Sequence, residues 1–193
     1  MPTLRRIQKM QRVIENRQPD LTVVCENIHD PHNVSAILRS CDAVGVETVY
    51  LLYTNTPFPK IGKKSSASAK KWIDLVSFRD HQQLASVLKE KGFTIYATSL
   101  NEGASSIYEN NWTQPAAIIL GNEHEGVSEE ALRIADASIY IPMFGMIQSL
   151  NVSVAAAVIL YEACRQRIHK HLYPHPQNTP ERIETLLEKW KAK

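Results

Sequence analysis

Apolar and polar positions along the chain follow two rhythms, and the switches between them predict the elements. In residues 3–16, Leu4, Ile7, Met10, Val13 and Ile14 recur at helical spacing with Arg5, Arg6, Lys9 and Arg12 between them, which predicts an amphipathic basic helix. Pro19 and Asp20 end it. LTVVC at 21–25 is a short, β-rich apolar run, IHDPHN follows as a loop, residues 35–44 read as a helix stopped by Gly45, and TVYLLY at 48–53 is a second strand. Strand, helix, strand predicts a right-handed βαβ unit. Residues 54–71 are rich in Pro, Ser, Thr and Lys and read as a connector with room for one helical turn in its latter half.

The alternation then resumes. Residues 72–78 predict a strand, 80–91 a helix capped by Asp80 and closed by Gly92, and 93–98 another strand. AAIIL at 116–120 is a buried strand, Ser128 caps a helix over 129–135, and 139–141 form the last strand. A long helix runs from 151 to about 171; after a linker carrying Pro174, Pro176 and Pro180, residues 181–190 make a final helix. Strands apolar on both faces, alternating with helices, place the chain in the α/β class with a mostly parallel sheet covered by helices on both faces. The long helix opens with Ser153, Ala155, Ala156 and Ala157, small enough to let its backbone press close to a neighbour, and either Ser149 or Asn151 fits as its N-cap.

Composition narrows the classes. With 193 residues and 44% apolar content, the chain suits one domain with appendages. Neither an apolar membrane-length run nor a secretory leader is visible, so a soluble cytoplasmic protein is expected. Cys25, Cys41 and Cys164 are far apart and read as core residues rather than as a disulfide framework or a zinc site. Charge is uneven: residues 1–20 hold five basic and two acidic side chains, 165–193 seven and three, and 21–164 ten and fifteen. Basic ends on an acidic body suit either solvated terminal helices or an attachment that gains affinity by releasing counterions from nucleic-acid phosphates.

The chemistry is defined first by exclusion. The seven glycines never form GxG, Gly62-Lys63-Lys64 lacks the spacing and hydroxyl of a phosphate loop, no GxSxG elbow occurs, and no histidine pair has metal-ligand spacing with an acidic partner. Three polar loops, HDPHN with Arg39 one and a half turns later, GNEHEG and MFGMIQSLN, each follow an apolar strand. In a parallel sheet all three face one edge, a site suited to group transfer in which a cofactor carries the reactive group.

The segments PHNVSAILRSCDAVGV, LGNEHEGVSEEAL and IPMFGMIQSLNVSVAAAVILYEA resemble, in order and spacing, the three motifs of the SpoU/TrmH branch of the SPOUT RNA 2′-O-methyltransferases, and the likeness runs nearly continuously over residues 20–168. NRQPDLTV, CRQRIHKHLY and helices at both ends are similar to the members acting on tRNA; relatives acting on ribosomal RNA usually carry a separate RNA-binding domain before the catalytic one, and none is read here. The middle motif departs from the family pattern in having a histidine at 124.

The resemblance implies a deep C-terminal trefoil knot around residues 116–165, within a catalytic domain at 20–172 flanked by a basic N-terminal helix at 1–19 and a linker and helix at 173–193. It implies S-adenosyl-L-methionine held by Thr98, Leu100, Gly121, Ile141, Met143 and Leu150, largely through backbone groups. It implies a catalytic set of Asn33, Arg39, Glu123, Ser149 and Asn151, with no metal, and a homodimer whose contact includes the small-residue helix. Arg17, Arg165 and Arg167 are the expected RNA contacts, joined more loosely by Arg5, Arg6, Arg12 and Lys170. The implied reaction is methylation of a ribose 2′-hydroxyl in tRNA, at guanosine 18 of the D-loop; the alternatives are another tRNA position, ribosomal RNA, or a non-catalytic RNA-binding knotted protein.

Overall fold

A computed structural model describes residues 2–59 and 69–192 of the chain; the expected connector falls partly on 60–68, outside the described residues. In chain order the elements are α1 (Leu4–Glu15), β1 (Leu21–Glu26), α2 (Pro31–Ala43), β2 (Thr48–Leu52), α3 (Ala69–Trp72), β3 (Asp74–Phe78), α4 (His81–Glu90), β4 (Thr94–Thr98), β5 (Ser105–Ser106), β6 (Ala116–Leu120), α5 (Glu129–Ile134), β7 (Ala137–Tyr140), α6 (Val152–His169) and α7 (Pro180–Lys191). The strands form one sheet in the order β3-β2-β1-β6-β4-β7-β5, and every neighbouring pair is parallel.

Period-two alternation divides each central strand between two cores. Leu21, Val23 and Cys25 of β1 and Ala116, Ile118 and Leu120 of β6 pack with Val34, Ile37, Leu38 and Cys41 of α2 and Ala156, Ile159, Leu160 and Ala163 of α6. The other face sets Val24, Ala117 and Ile119 against Leu84 and Leu88 of α4 and Ala131 and Ile134 of α5. Burial pushes the Cys25 thiol up to about 12 and Cys41 well above its ordinary value, so both are unreactive core groups; Cys164 is only half-buried. A third cluster joins the chain ends, where Met10 and Ile14 of α1 meet Trp190 of α7. Among the described residues no helix is long and apolar enough to cross a membrane.

Capping follows the predicted residues at Asp80 and Ser128, whose side chains accept from Gln83 N and Ala131 N. Helix α2 begins four residues earlier than its apolar pattern: Asp30 caps it, accepting from His32 N at 2.8 Å, and Pro31 takes the first helical position, where its missing N–H costs nothing. HDPHN is therefore a cap and a first helical turn rather than a loop, and this brings Asn33 to the start of a helix.

Two expected RNA contacts are corrected by burial. Arg17 is fully buried: it donates to Val46 O at 2.8 Å, Asp42 Oδ1 at 2.7 Å and Trp72 O at 3.2 Å, and lies over the Trp190 ring. Arg167 is also fully buried and donates to Trp112 O, Gln18 Oε1, Asp20 Oδ1, Asp20 O and Gln114 O. Both clamp backbone at the amino ends of β1, β2 and β6. They lack the free guanidinium a phosphate would need, and β1 alone separates that pole from the opposite sheet edge by about 20 Å.

Asp20 is pulled both ways: burial tends to raise its pKa, and its bonds with His175 and Arg167 outweigh this and hold it below 3.8. A depressed carboxylate contributes stability that is present above its ordinary pKa and lost as pH falls through the lower folded value. Asp20→Asn is therefore expected to cost about 1–3 kcal/mol at pH 7, with the gap from the parent narrowing as pH falls below the usual aspartate range. Urea unfolding at pH 7 and at pH 3 checks this; a gap of constant size would contradict it.

Candidate active site

The carboxyl ends of β1, β6, β4 and β7 are adjacent in the sheet, and the chain order reverses between β1 and β6. Such a switch point opens a crevice at the carboxyl edge. On the β1 side, Asn27 turns with φ +45°, and its side chain ties to Thr54, accepting from Thr54 N at 3.0 Å. On the β6 side, residues 121–126 close on themselves: Asn122 N donates to Gly126 O at 3.0 Å, Gly126 N to Asn122 O at 3.1 Å, and Asn122 Oδ1 accepts from His124 N and Glu125 N. A Cβ on Gly121 would lie 2.0 Å from the carbonyl carbon of Gly126, so this turn exists only with glycine at its start.

The turn delivers Glu123 across the crevice. Asn33 Nδ2 donates to Glu123 Oε1 at 2.7 Å, while the amides of His29 and Asp30 donate to the same carboxylate at 3.2 and 3.4 Å. Asn151 Nδ2 donates to Asn33 Oδ1 at 3.1 Å, and Asn151 Oδ1 caps α6 by accepting from Ser153 N at 2.9 Å. Between the two candidate caps, Asn151 is thus the one used. Burial tends to raise the pKa of Glu123, but the bond from Asn33 and those from backbone amides prevail and hold it below 4.5, so it stands as an ionised acceptor.

One network therefore joins Asn33, Glu123 and Asn151, one residue from each polar segment. Arg39 and Ser149 are not part of it: both are exposed, and neither side chain makes a hydrogen bond or ion pair among the described residues. Thr98 Oγ1 donates to Ile119 O at 3.1 Å, Leu100 is exposed, Gly121 is buried, and Ile141, Met143 and Leu150 are half-buried; all lie at or beyond the carboxyl ends of β4, β6 and β7. Among the described residues, the amides of 143–150 find no partner within the chain. In this loop Phe144 is 99% and Met146 100% exposed.

Of Arg17, Arg165 and Arg167 only Arg165 reaches solvent, and its Nε and Nη2 hold Glu162 at 2.8 and 2.9 Å. The freer basic surface is on α1, where Arg5, Gln8, Lys9 and Arg12 line a shallow depression. The His29 and Asp30 amides were not anticipated as parts of the site. The Asp-Pro pair was the available signal, since it places a helix start, with its unpaired donors, beside Asn33. Among the described residues no three His, Cys, Asp or Glu side chains are grouped to hold a metal ion.

A parallel α/β sheet with an amide and carboxylate network across its switch point, beside a loop whose backbone donors are unpartnered among the described residues, suits a group-transfer domain. Residues 20–161 match the sequence profile of the SpoU rRNA Methylase family, and the chain belongs to that family. It is 49% identical over 97% of its length to 96% of the tRNA (guanosine(18)-2′-O)-methyltransferase of Thermus thermophilus. The crystal structure of the A. aeolicus TrmH/SpoU tRNA modifying enzyme superposes with a TM-score of 0.90 at 41% identity, covering 97% of this chain and 95% of that one. The SpoU methyltransferase AviRb from Streptomyces viridochromogenes, solved in complex with AdoMet, has a TM-score of 0.72 at 26% identity, over 88% of this chain and 67% of that one.

Proposed function

We propose that the protein transfers a methyl group from S-adenosyl-L-methionine to a ribose 2′-hydroxyl of tRNA, at guanosine 18 of the D-loop, as a cytoplasmic homodimer. The observation that carries this reading is the Asn33–Glu123–Asn151 network, which ties the three motif segments into one site with a free guanidinium on the same helix as Asn33. The near full-length likeness to guanosine-18 enzymes supports the choice of substrate.

The unpartnered amides of 143–150 and the adjacency of β6, β4 and β7 fit a cofactor held by backbone groups. Thr98, Leu100, Gly121, Ile141, Met143 and Leu150 would hold it, and its sulfonium supplies an electrophilic methyl group. Arg39 binds the RNA phosphate and stabilises the oxyanion that develops on the 2′-oxygen; a guanidinium is too firmly protonated to act as the base. Glu123 fixes Asn33, Asn33 orients the ribose, and Ser149 and Asn151 shape the loop.

A trefoil knot belongs to this reading. Chain leaving β7, three strand spacings or about 14 Å from β1, returns to Asn33 through residues 141–151 before α6 packs on α2. A second copy would cover the exposed Val154, Tyr161 and Ile168, which recur every seven residues along one face of α6. Residues 20–172 carry the chemistry, while 1–19 and 173–193, packed together through Met10, Ile14 and Trp190, form the attachment that meets RNA.

Incubation with labelled S-adenosyl-L-methionine and unmodified tRNA, followed by nuclease mapping, tests the proposal. Label on the ribose of guanosine 18 is expected. Label at another tRNA position, or on ribosomal RNA alone, overturns the substrate; no label on any RNA leaves a binding protein.

A further inference from the structure

We infer that Glu26 is a positioning residue for this reaction, holding the far end of the 121–128 turn so that Glu123 meets Asn33. The inference rests on the function proposed above. Glu26 is the last residue of β1 and is 1% exposed. Its Oε2 accepts from Ser128 N at 3.0 Å, and its Oε1 accepts from Ser128 Oγ at 2.5 Å and pairs with His81 Nε2 at 2.8 Å. Ser, His and Glu here do not form a nucleophile and its base. The serine hydroxyl donates to the carboxylate, and the same imidazole nitrogen faces both partners, leaving no acceptor to take the serine proton.

A buried carboxylate is costly, and apolar residues of similar volume often serve stability as well or better. What Glu26 achieves is geometric. Cys25 pairs with Leu120, so Glu26 stands beside the start of the turn, while its bonds reach Ser128, two residues past the turn's last glycine. The turn is thus held at three places: at its start by β6 and the close packing of Gly121 on Gly126, in the middle by Glu123, and at its end by Glu26. Ser128 also caps α5, accepting from Ala131 N at 3.1 Å, and His81 is the first residue of α4, so Glu26 seats two helix starts against the strand that leads to Asn33. Freeing the end of the turn leaves the Glu123–Asn33 bond to hold it alone, and a misplacement of about 1 Å in a catalytic group is enough to cost on the order of 100-fold in rate.

The near-isosteric Glu26→Gln substitution turns one acceptor into a donor that faces donors. The expected result is a kcat lower by roughly 10- to 100-fold, with KM for tRNA and affinity for S-adenosyl-L-methionine within about twofold of the parent. In a Glu123→Gln background the same change is expected to add little, because both act on one contact. Independently of turnover, hydrogen exchange at the His29 and Asp30 amides, which donate to Glu123, is expected to quicken about tenfold while that of Tyr50 in β2 stays unchanged. Unaltered exchange at His29 and Asp30, or a kcat loss that multiplies with that of Glu123→Gln, overturns the inference. If Glu26→Gln does not fold, Ser128→Ala, which removes only the hydroxyl, gives the same readouts. Absence of methylation by the parent protein would refute the proposed reaction, and the exchange measurement still decides whether Glu26 positions Glu123.

Discussion

Arg39→Ala is expected to lower kcat by roughly 100- to 1,000-fold, the range found when a preorganised donor to a developing oxyanion is removed. Affinity for S-adenosyl-L-methionine is expected to stay within about twofold, because the proposed cofactor residues lie at or beyond the ends of β4, β6 and β7 and none of them is on α2. The side chain is exposed and makes no hydrogen bond or ion pair among the described residues, so truncation removes nothing that holds the fold together and the unfolding midpoint should not move. Loss confined to the transition state lowers kcat and kcat/KM together. Arg39→Lys restores a charge without the planar fork and is expected to recover only part of the rate. Single-turnover methyl transfer and calorimetric titration of the cofactor separate these quantities. Equal losses of cofactor affinity and turnover would remove Arg39 from the ribose and assign it to the cofactor.

Much of the fold was legible because its signals are local. AAIIL at 116–120 reads as a buried strand since a central parallel strand has no wet face, and β6 occupies that span. Asp80 and Ser128 cap where they were expected because capping depends on a few neighbouring residues. The start of α2 was misread because the apolar pattern marks only residues 35–44, whereas the helix begins four residues earlier at Pro31, capped by Asp30. Strand β5, Ser105–Ser106, is too short and polar to have a pattern and exists only because β7 offers it an edge. The site divides in the same way. The family resemblance singled out Asn33, Glu123 and Asn151, but their meeting depends on β1 and β6 being neighbours, and Glu26 meets Ser128 from 102 residues away with no local mark.

Arg17 and Arg167 show where composition misleads most, and Arg167 is where the largest loss of stability is expected. In sequence it is one of several basic residues at the end of a long helix, a setting that suits RNA. In the fold its guanidinium meets Trp112 O, Gln114 O, Asp20 and Gln18, groups that belong to the segments entering β1 and β6. Arg167→Ala leaves the largely enclosed Asp20 with His175 alone, and removing one partner of a buried ion pair costs about 3–5 kcal/mol, a large share of the roughly 5–15 kcal/mol that holds a domain folded. Lysine cannot replace the fork, because one ammonium cannot serve acceptors spread around the edges of the planar guanidinium. Measured per folded molecule, tRNA affinity and its salt dependence are expected to be unchanged in Arg167→Ala. Arg5→Ala with Arg12→Ala, on the exposed face of α1, is expected to reduce the salt slope by about one to two. Urea unfolding and tRNA binding at several salt concentrations distinguish the two roles: a stable Arg167→Ala protein with a flattened salt slope would return that arginine to the RNA.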